Sequence, residues 1–235
     1  MKKIAFAILA ITLTNSYYAQ LSKGTFMPGA GINYYYDSTS NHDTTNKNYS
    51  SNKISSLNLH MKFGYFITNK IVIGIIGGYR KYSGKSTSEY TSSNRVTNSS
   101  KQISNTVYTG LFLRSYKITN NGKFGFFGQL TSVYGIGKTL ENSKYTNDGI
   151  ITLNNEYHKT SNSFDVNLSA GVVYFVHDKI GIEASFGAIG YNRQSNKSYD
   201  KSKQTGYGNE TGFYTNFSMN SIQLGVNYYL GRKKA

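Results

Sequence analysis

The chain has 235 residues, with 26 Lys and Arg against 11 Asp and Glu and a formal net charge of +15. It has no cysteine, which excludes disulfides, a cysteine-linked lipid anchor and thiolate metal sites. Mean hydropathy is −0.46, and past the N-terminus no stretch approaches the ~20 apolar residues of a membrane helix. None of this excludes a barrel in lipid, because every second residue of a barrel strand faces away from lipid.

Tyr (22), Phe (13) and Gly (24) are abundant, Pro occurs once and Trp not at all. Aromatic-rich, proline-poor sequence punctuated by glycine suits long strands. A basic chain could bind nucleic acid, but the N-terminus argues for export, which makes anionic lipid headgroups the expected counter-charge and removes nucleic acid from the partners. Lys2 and Lys3, the apolar run "IAFAILAITLT" and the polar "NSYYAQ" have the charge order and length of a signal peptide, residues 1–19, cut after Ala19. Residues 20–235 are then one domain.

From there the chain alternates. Residues 24–36 place Ala30, Ile32, Tyr34 and Tyr36 on one side; Pro28 has no N–H to give a ladder, so it marks the strand's entry or a bulge. In 55–67 an apolar face of Leu57, Leu59, Met61, Phe63, Tyr65 and Ile67 backs Asn58, His60 and Lys62. In 71–82 Ile71, Ile73, Ile75 and Tyr79 oppose Gly74, Gly78 and Arg80. Residues 106–116 set Val107, Leu111 and Leu113 against Gly110 and Arg114, with Phe112 out of pattern. In 123–136 Phe124, Phe126, Leu130, Tyr134 and Ile136 oppose Gly125, Gln129 and Thr131. Phe164 to Tyr174 and Ile180 to Ala188 carry Asp165 and Glu183 on their polar faces. The last run puts Ile222, Leu224, Val226, Tyr228 and Leu230 opposite Gln223, Gly225 and Asn227; upstream, Phe213, Phe217 and Met219 have the other parity, which a bulge near Asn220 would reconcile.

That makes eight strands, and their connections alternate in length. "TNK" (68–70), "TNNGK" (119–123) and "HDK" (177–179) are hairpin turns, whereas residues 38–53, 84–103, 138–160 and 194–212 are long polar loops. Short turns at one end and long loops at the other are the layout of an outer-membrane barrel, with turns and termini periplasmic and loops outside. Tyr34, Tyr36, Tyr79, Tyr134 and Phe164 fall at the loop end of the apolar face, and Phe63, Tyr65, Phe124, Phe126, Tyr174 and Tyr228 at the turn end. Two aromatic girdles around an aliphatic band match two membrane interfaces, so the apolar face points outward. The expected fold is all-β: a closed, antiparallel, up-and-down, eight-stranded transmembrane β-barrel.

The whole mature chain resembles small eight-stranded outer-membrane barrels, such as the membrane domain of the outer membrane protein A family and its porin-family relatives. The signal "KKIAFAILAITLT…YAQ" and the final strand "SIQLGVNYYL" carry the resemblance, and the "YAQ" junction is similar to exported proteins of the Bacteroidota. The resemblance implies recognition of the last strand by the barrel-assembly machinery, although "GRKKA" follows Leu230 where the family ends on an aromatic. It also implies a monomer surrounded by outer-membrane lipid and lipopolysaccharide. No peptidoglycan-binding domain of the kind some relatives carry is expected after the last strand.

Chemistry-bearing motifs are few. "GIGKT" (135–139) lacks the phosphate-loop glycine, since Ser132 stands in its place. His42, His60, His158 and His177 have no zinc-like spacing, and no cofactor is expected. The informative set is the polar parity: His60, Lys62, Arg80, Arg114, Asp165, Glu183 and Arg193, expected inside a lumen that side chains fill. Such charges either pair with one another or line a narrow, anion-preferring path, since four formal positives face two negatives. Catalysis on lipid is the third reading, but His60 is mid-strand without a nameable Ser or carboxylate partner, so the chain is expected not to be an enzyme. Loops 84–103 (Lys85, Arg95, Lys101 against Glu89) and 194–212 (Lys197, Lys201, Lys203 against Asp200, Glu210) are net positive and could contact lipopolysaccharide phosphates or an external partner.

Overall fold

The computed structural model describes residues 21–43, 48–91, 95–147, 150–200, 203–217 and 221–231; the signal-peptide reading lies outside them. The alternating runs form β1 (Phe26–Asp43), β2 (Asn48–Phe66), β3 (Ile71–Thr91), β4 (Arg95–Ile118), β5 (Phe124–Asn147), β6 (Ile150–His177), β7 (Ile180–Asp200), β8 (Lys203–Asn216) and β9 (Gln223–Tyr228). From β1 to β7 each strand pairs antiparallel with the next. β9 pairs with both β1 and β7 and closes the ring. β8 pairs with the loop-end half of β7, so β8 and β9 share the eighth place. The run expected as one last strand is therefore divided, and a bulge near Asn220 lies outside the described residues.

Closure is staggered. A row of Cα partners leaves β7 at Ala184, passes Leu224, Ile32, Leu59, Tyr79, Val107, Ile136 and Asn162, and returns to β7 at Ser195. That displacement is the shear that tilts barrel strands against the axis. Pro28 sits where its chemistry requires. The bridge Phe26↔Leu230 stands apart from the β1–β9 ladder, which resumes at Gly29↔Asn227, and between them Pro28 has no N–H to donate.

Polarity is the reverse of a water-soluble protein. Met61 is 67% exposed, whereas its neighbour Lys62 is 1% exposed. Phe63, Ile75, Leu111, Phe126 and Leu168 are likewise exposed, and Arg114 and Glu183 are buried. A closed ring with a continuous apolar exterior and a polar interior is a transmembrane barrel, because lipid is the solvent that covers such a surface.

The polar segments expected as loops are largely strand. β1–β2 pairing continues to Asp43↔Asn48, β3–β4 to Thr91↔Arg95 and β5–β6 to Asn147↔Ile150. Strands of 24 and 28 residues in β5 and β6 far exceed the ~9–11 that cross a bilayer, so the hairpins project well past the apolar band. Side-chain bonds across the strands, such as Thr139 Oγ1 to Ser104 Oγ at 2.9 Å, accompany the ladders.

Candidate functional site

Inside the ring the two ends differ. At the turn end an aromatic layer fills the lumen. Phe66 stacks on Tyr116 with centroids 5.8 Å apart, Tyr116 tilts on Phe127 at 5.8 Å, and Phe175 packs on Tyr229 at 5.4 Å, all five buried. Glycines on neighbouring strands make room for such rings: a Cβ at Gly74 would lie 2.7 Å from the Phe112 ring. Phe112, the exception to the β4 pattern, is thus a luminal side chain seated over a glycine.

Above this layer lies a charge network centred on Glu183. Its Oε2 accepts from Arg114 Nη1 at 2.6 Å and from Asn227 Nδ2 at 2.5 Å, and its Oε1 accepts from Lys62 Nζ. Arg114 also donates through Nε to Gln129 Oε1 at 2.8 Å and through Nη1 to Tyr116 Oη at 2.8 Å, with its guanidinium 3.9 Å over the Phe127 ring. Gln129 passes the chain on to Thr131 at 2.9 Å. The carboxylate is fully engaged. Such saturation is what makes a buried ion pair tolerable. A longer fourth bond runs from Arg114 Nη2 to Oε1 at 3.4 Å.

Towards the loop end the lumen is hollow. A cavity of about 740 Å³ rests on Lys62, Arg114 and Glu183 and rises past His60, Tyr108 and Asp165. Tyr108 Oη donates to Asn58 at 2.7 Å, Arg80 lies over the Tyr108 ring at 5.7 Å, and Asn192 Nδ2 donates to Asp165 at 2.5 Å. The expectation of a lumen filled throughout therefore holds for the turn-end half and fails above it, where polar side chains leave room for water.

Of the seven luminal candidates, the structure brings Lys62, Arg114 and Glu183 into contact and lays buried His60 beside them along the cavity. Arg80 and Asp165 line the same cavity higher up. Arg193 does not belong. Its Cα partners are Phe164, whose ring is exposed on the outer face, and Thr211, and directly paired residues share a face. The cause is a bulge: Ala170 pairs with Phe186 but Leu168 with Ile189, which leaves an extra residue in β7. Gly187 holds φ at 67° there and donates its N–H to Ser221 Oγ at 3.2 Å. One extra residue exchanges the faces of everything beyond it. With Arg193 outside and Glu210 found lining the cavity, Lys62, Arg80 and Arg114 face Asp165, Glu183 and Glu210. The positive excess expected of the lumen is gone.

Sequence reading missed Gln129, Asn227, Tyr116 and Tyr229 as network members. The signal was present in doublets such as "GYF", "FGFF" and "NYYL", where adjacent aromatics must point to opposite faces. The girdle residues Tyr34, Tyr36, Phe63, Tyr65, Tyr79, Phe124, Phe126, Tyr134, Phe164 and Tyr228 are exposed on the outer face, and Tyr174 is half-buried against Phe124 at 4.8 Å. Among the described residues no group of His, Asp and Glu is arranged to hold a metal ion.

No family model and no curated protein matches the chain. Among solved structures it is similar to the outer membrane protein OprG from Pseudomonas aeruginosa, at 11% identity over 90% of this chain and 98% of that one, with a TM-score of 0.39. It is similar to Ail, the attachment invasion locus protein of Yersinia pestis, at 16% identity over 88% and 99%, TM-score 0.30. The outer membrane protease OmpT from Escherichia coli matches at 15% identity over 93% and 97%, TM-score 0.37. These superpositions are loose, and the barrel assignment stands on the ring closure and the outward apolar face.

Proposed function

We propose that this chain is a monomeric, non-catalytic outer-membrane barrel, shut to solutes at its periplasmic turn end, that presents a polar vestibule and tall hairpins to the outside of the cell. Its role is in envelope structure or surface interaction. Support comes chiefly from the floor of the vestibule, where the Lys62–Arg114–Glu183 network lies directly on the ring of buried aromatics. A solute crossing it would have to separate paired charges in a dry environment, which costs several kcal/mol per ion. The competing anion-selective pore draws no support from a vestibule whose lining charges balance. The remaining partners in this reading are outer-membrane lipid and lipopolysaccharide around the wall, and the assembly machinery acting on β9.

Planar-bilayer recording of the detergent-folded protein tests the closed floor. The expected result is a quiet bilayer; reproducible unitary conductance steps would replace this reading with the pore. Biotinylation of Lys101 on intact cells tests the orientation, and labelling only after lysis would reverse it.

A further inference from the structure

The outer faces of the hairpins carry more cations than acids. Beyond the loop-side girdle, the outward parity of β2 to β7 carries Lys53, Lys81, Lys85, Lys101, Lys138, Arg193 and Lys197, all exposed. Most acids turn inward: Asp165 on β6 and Glu210 on β8 line the vestibule, and Glu141 on β5 is bonded to Lys159 at 2.8 Å. Outward Glu89 and Glu156 are the exceptions, and Glu156 pairs with His158 at 3.3 Å.

Three of the cations are in direct register. Lys53 pairs with Lys85, and Lys85 pairs with Lys101. Their row continues to Ser38 on one side and Asn142 on the other. Like charges directly opposite on neighbouring strands repel, and among the described residues none of the three has a salt-bridge partner. At a strand spacing of ~4.8 Å the row spans about 10 Å, so one ligand with several negative charges can meet all three ammonium groups.

We propose that Lys53, Lys85 and Lys101 form a site on the outer wall for a membrane glycolipid whose headgroup carries more than one phosphate. The inference rests on the membrane reading above, which puts this wall against the outer leaflet. The occupant's chains lie on the aliphatic band below, continuous with the girdle residue Tyr79 on β3. From Tyr79 to Lys85 the tilted strand climbs about 15 Å, beyond the reach of a compact glycerophosphate but within that of a phosphorylated sugar headgroup. Lys81, two residues above Tyr79, sits where the smaller headgroups end.

The test uses the detergent-folded chain and lipopolysaccharide, native or enzymatically dephosphorylated, with phosphatidylglycerol as the compact anionic lipid. Removing three lysines of this kind costs about a factor of five each, roughly a hundredfold in all. The triple variant Lys53→Gln/Lys85→Gln/Lys101→Gln should lose that affinity for native lipopolysaccharide, and the wild type should lose it for the dephosphorylated form. A turn-end control, Lys117→Gln/Lys123→Gln/Lys179→Gln, should bind as the wild type does. Native lipopolysaccharide should also raise the wild-type unfolding midpoint and leave that of the triple variant unmoved. Equal binding by wild type and triple variant, equal loss in the control, or phosphatidylglycerol binding that depends on the three lysines would each overturn the site. Failure of the underlying reading looks different: a chain that fractionates as soluble and shows no heat-modifiable mobility is not a membrane barrel at all. A heat-modifiable chain with unchanged affinity in the triple variant removes only the lysine row.

Discussion

The two halves of the lumen are built on the same strands yet obey different rules. At the turn end every polar atom of Glu183 and Arg114 meets a partner, and the space between is packed with Phe66, Tyr116, Phe127 and Tyr229. At the loop end Arg80 and Asp165 line an open cavity with far fewer partners. The difference follows from side-chain volume. Large aromatics set over glycines exclude water below, whereas Asn, Ser and Thr above are too short to meet across the ring. A charge placed below must be matched by protein, and the same charge above is matched by water.

The sharpest way to break this contrast is at the floor. Glu183→Ala leaves Lys62 and Arg114 buried without their anion, and removing one partner of a buried ion pair costs about 3–5 kcal/mol. The urea midpoint of the detergent-folded barrel should fall accordingly. An unchanged midpoint would mean that the floor is wet and that the two halves do not differ.

Packing is the second difference, and its effect is smaller. A Cβ at Gly74 would meet the Phe112 ring and the backbone of β2, so Gly74→Val forces the floor to overpack and should cost about 1–3 kcal/mol. Gly128 has nothing within 4 Å of an added Cβ and faces outward, so Gly128→Ala should leave the midpoint within about 0.5 kcal/mol of wild type. If both substitutions behave alike, the luminal glycines are not seats for aromatic rings.

Strand number, parity and the two girdles were legible because lipid outside and protein inside impose opposite polarities on alternate residues. Where that contrast ends, legibility ends. Beyond the girdle both faces of the hairpins meet water or polar headgroups, so "YDSTSNHD" in β1 and "SGKSTSEYT" in β3 carry no apolar alternation and read as loop, although they are strand. Arg193 was misplaced for a related reason. In "ASFGAIGY" small residues fall on both parities around Gly187, so nothing in the pattern records the one-residue change of phase. The doublets mark which aromatics turn inward, but which of them meet in the floor, and the Gln129–Arg114 contact, needed the register across strands, which a single sequence does not contain.

The smallest expected effect comes from the hollow half. Asp165 is half-buried, bonded to Asn192 and open to the cavity. Replacing it by Asn keeps the shape and removes a charge that water already screens, so the midpoint should move by less than about 1 kcal/mol. Set beside Glu183→Ala, this substitution measures how steeply solvation changes along one lumen. A loss as large as that at Glu183 would show that the vestibule is as dry as the floor, and the proposed closed cup would become a solid plug from end to end.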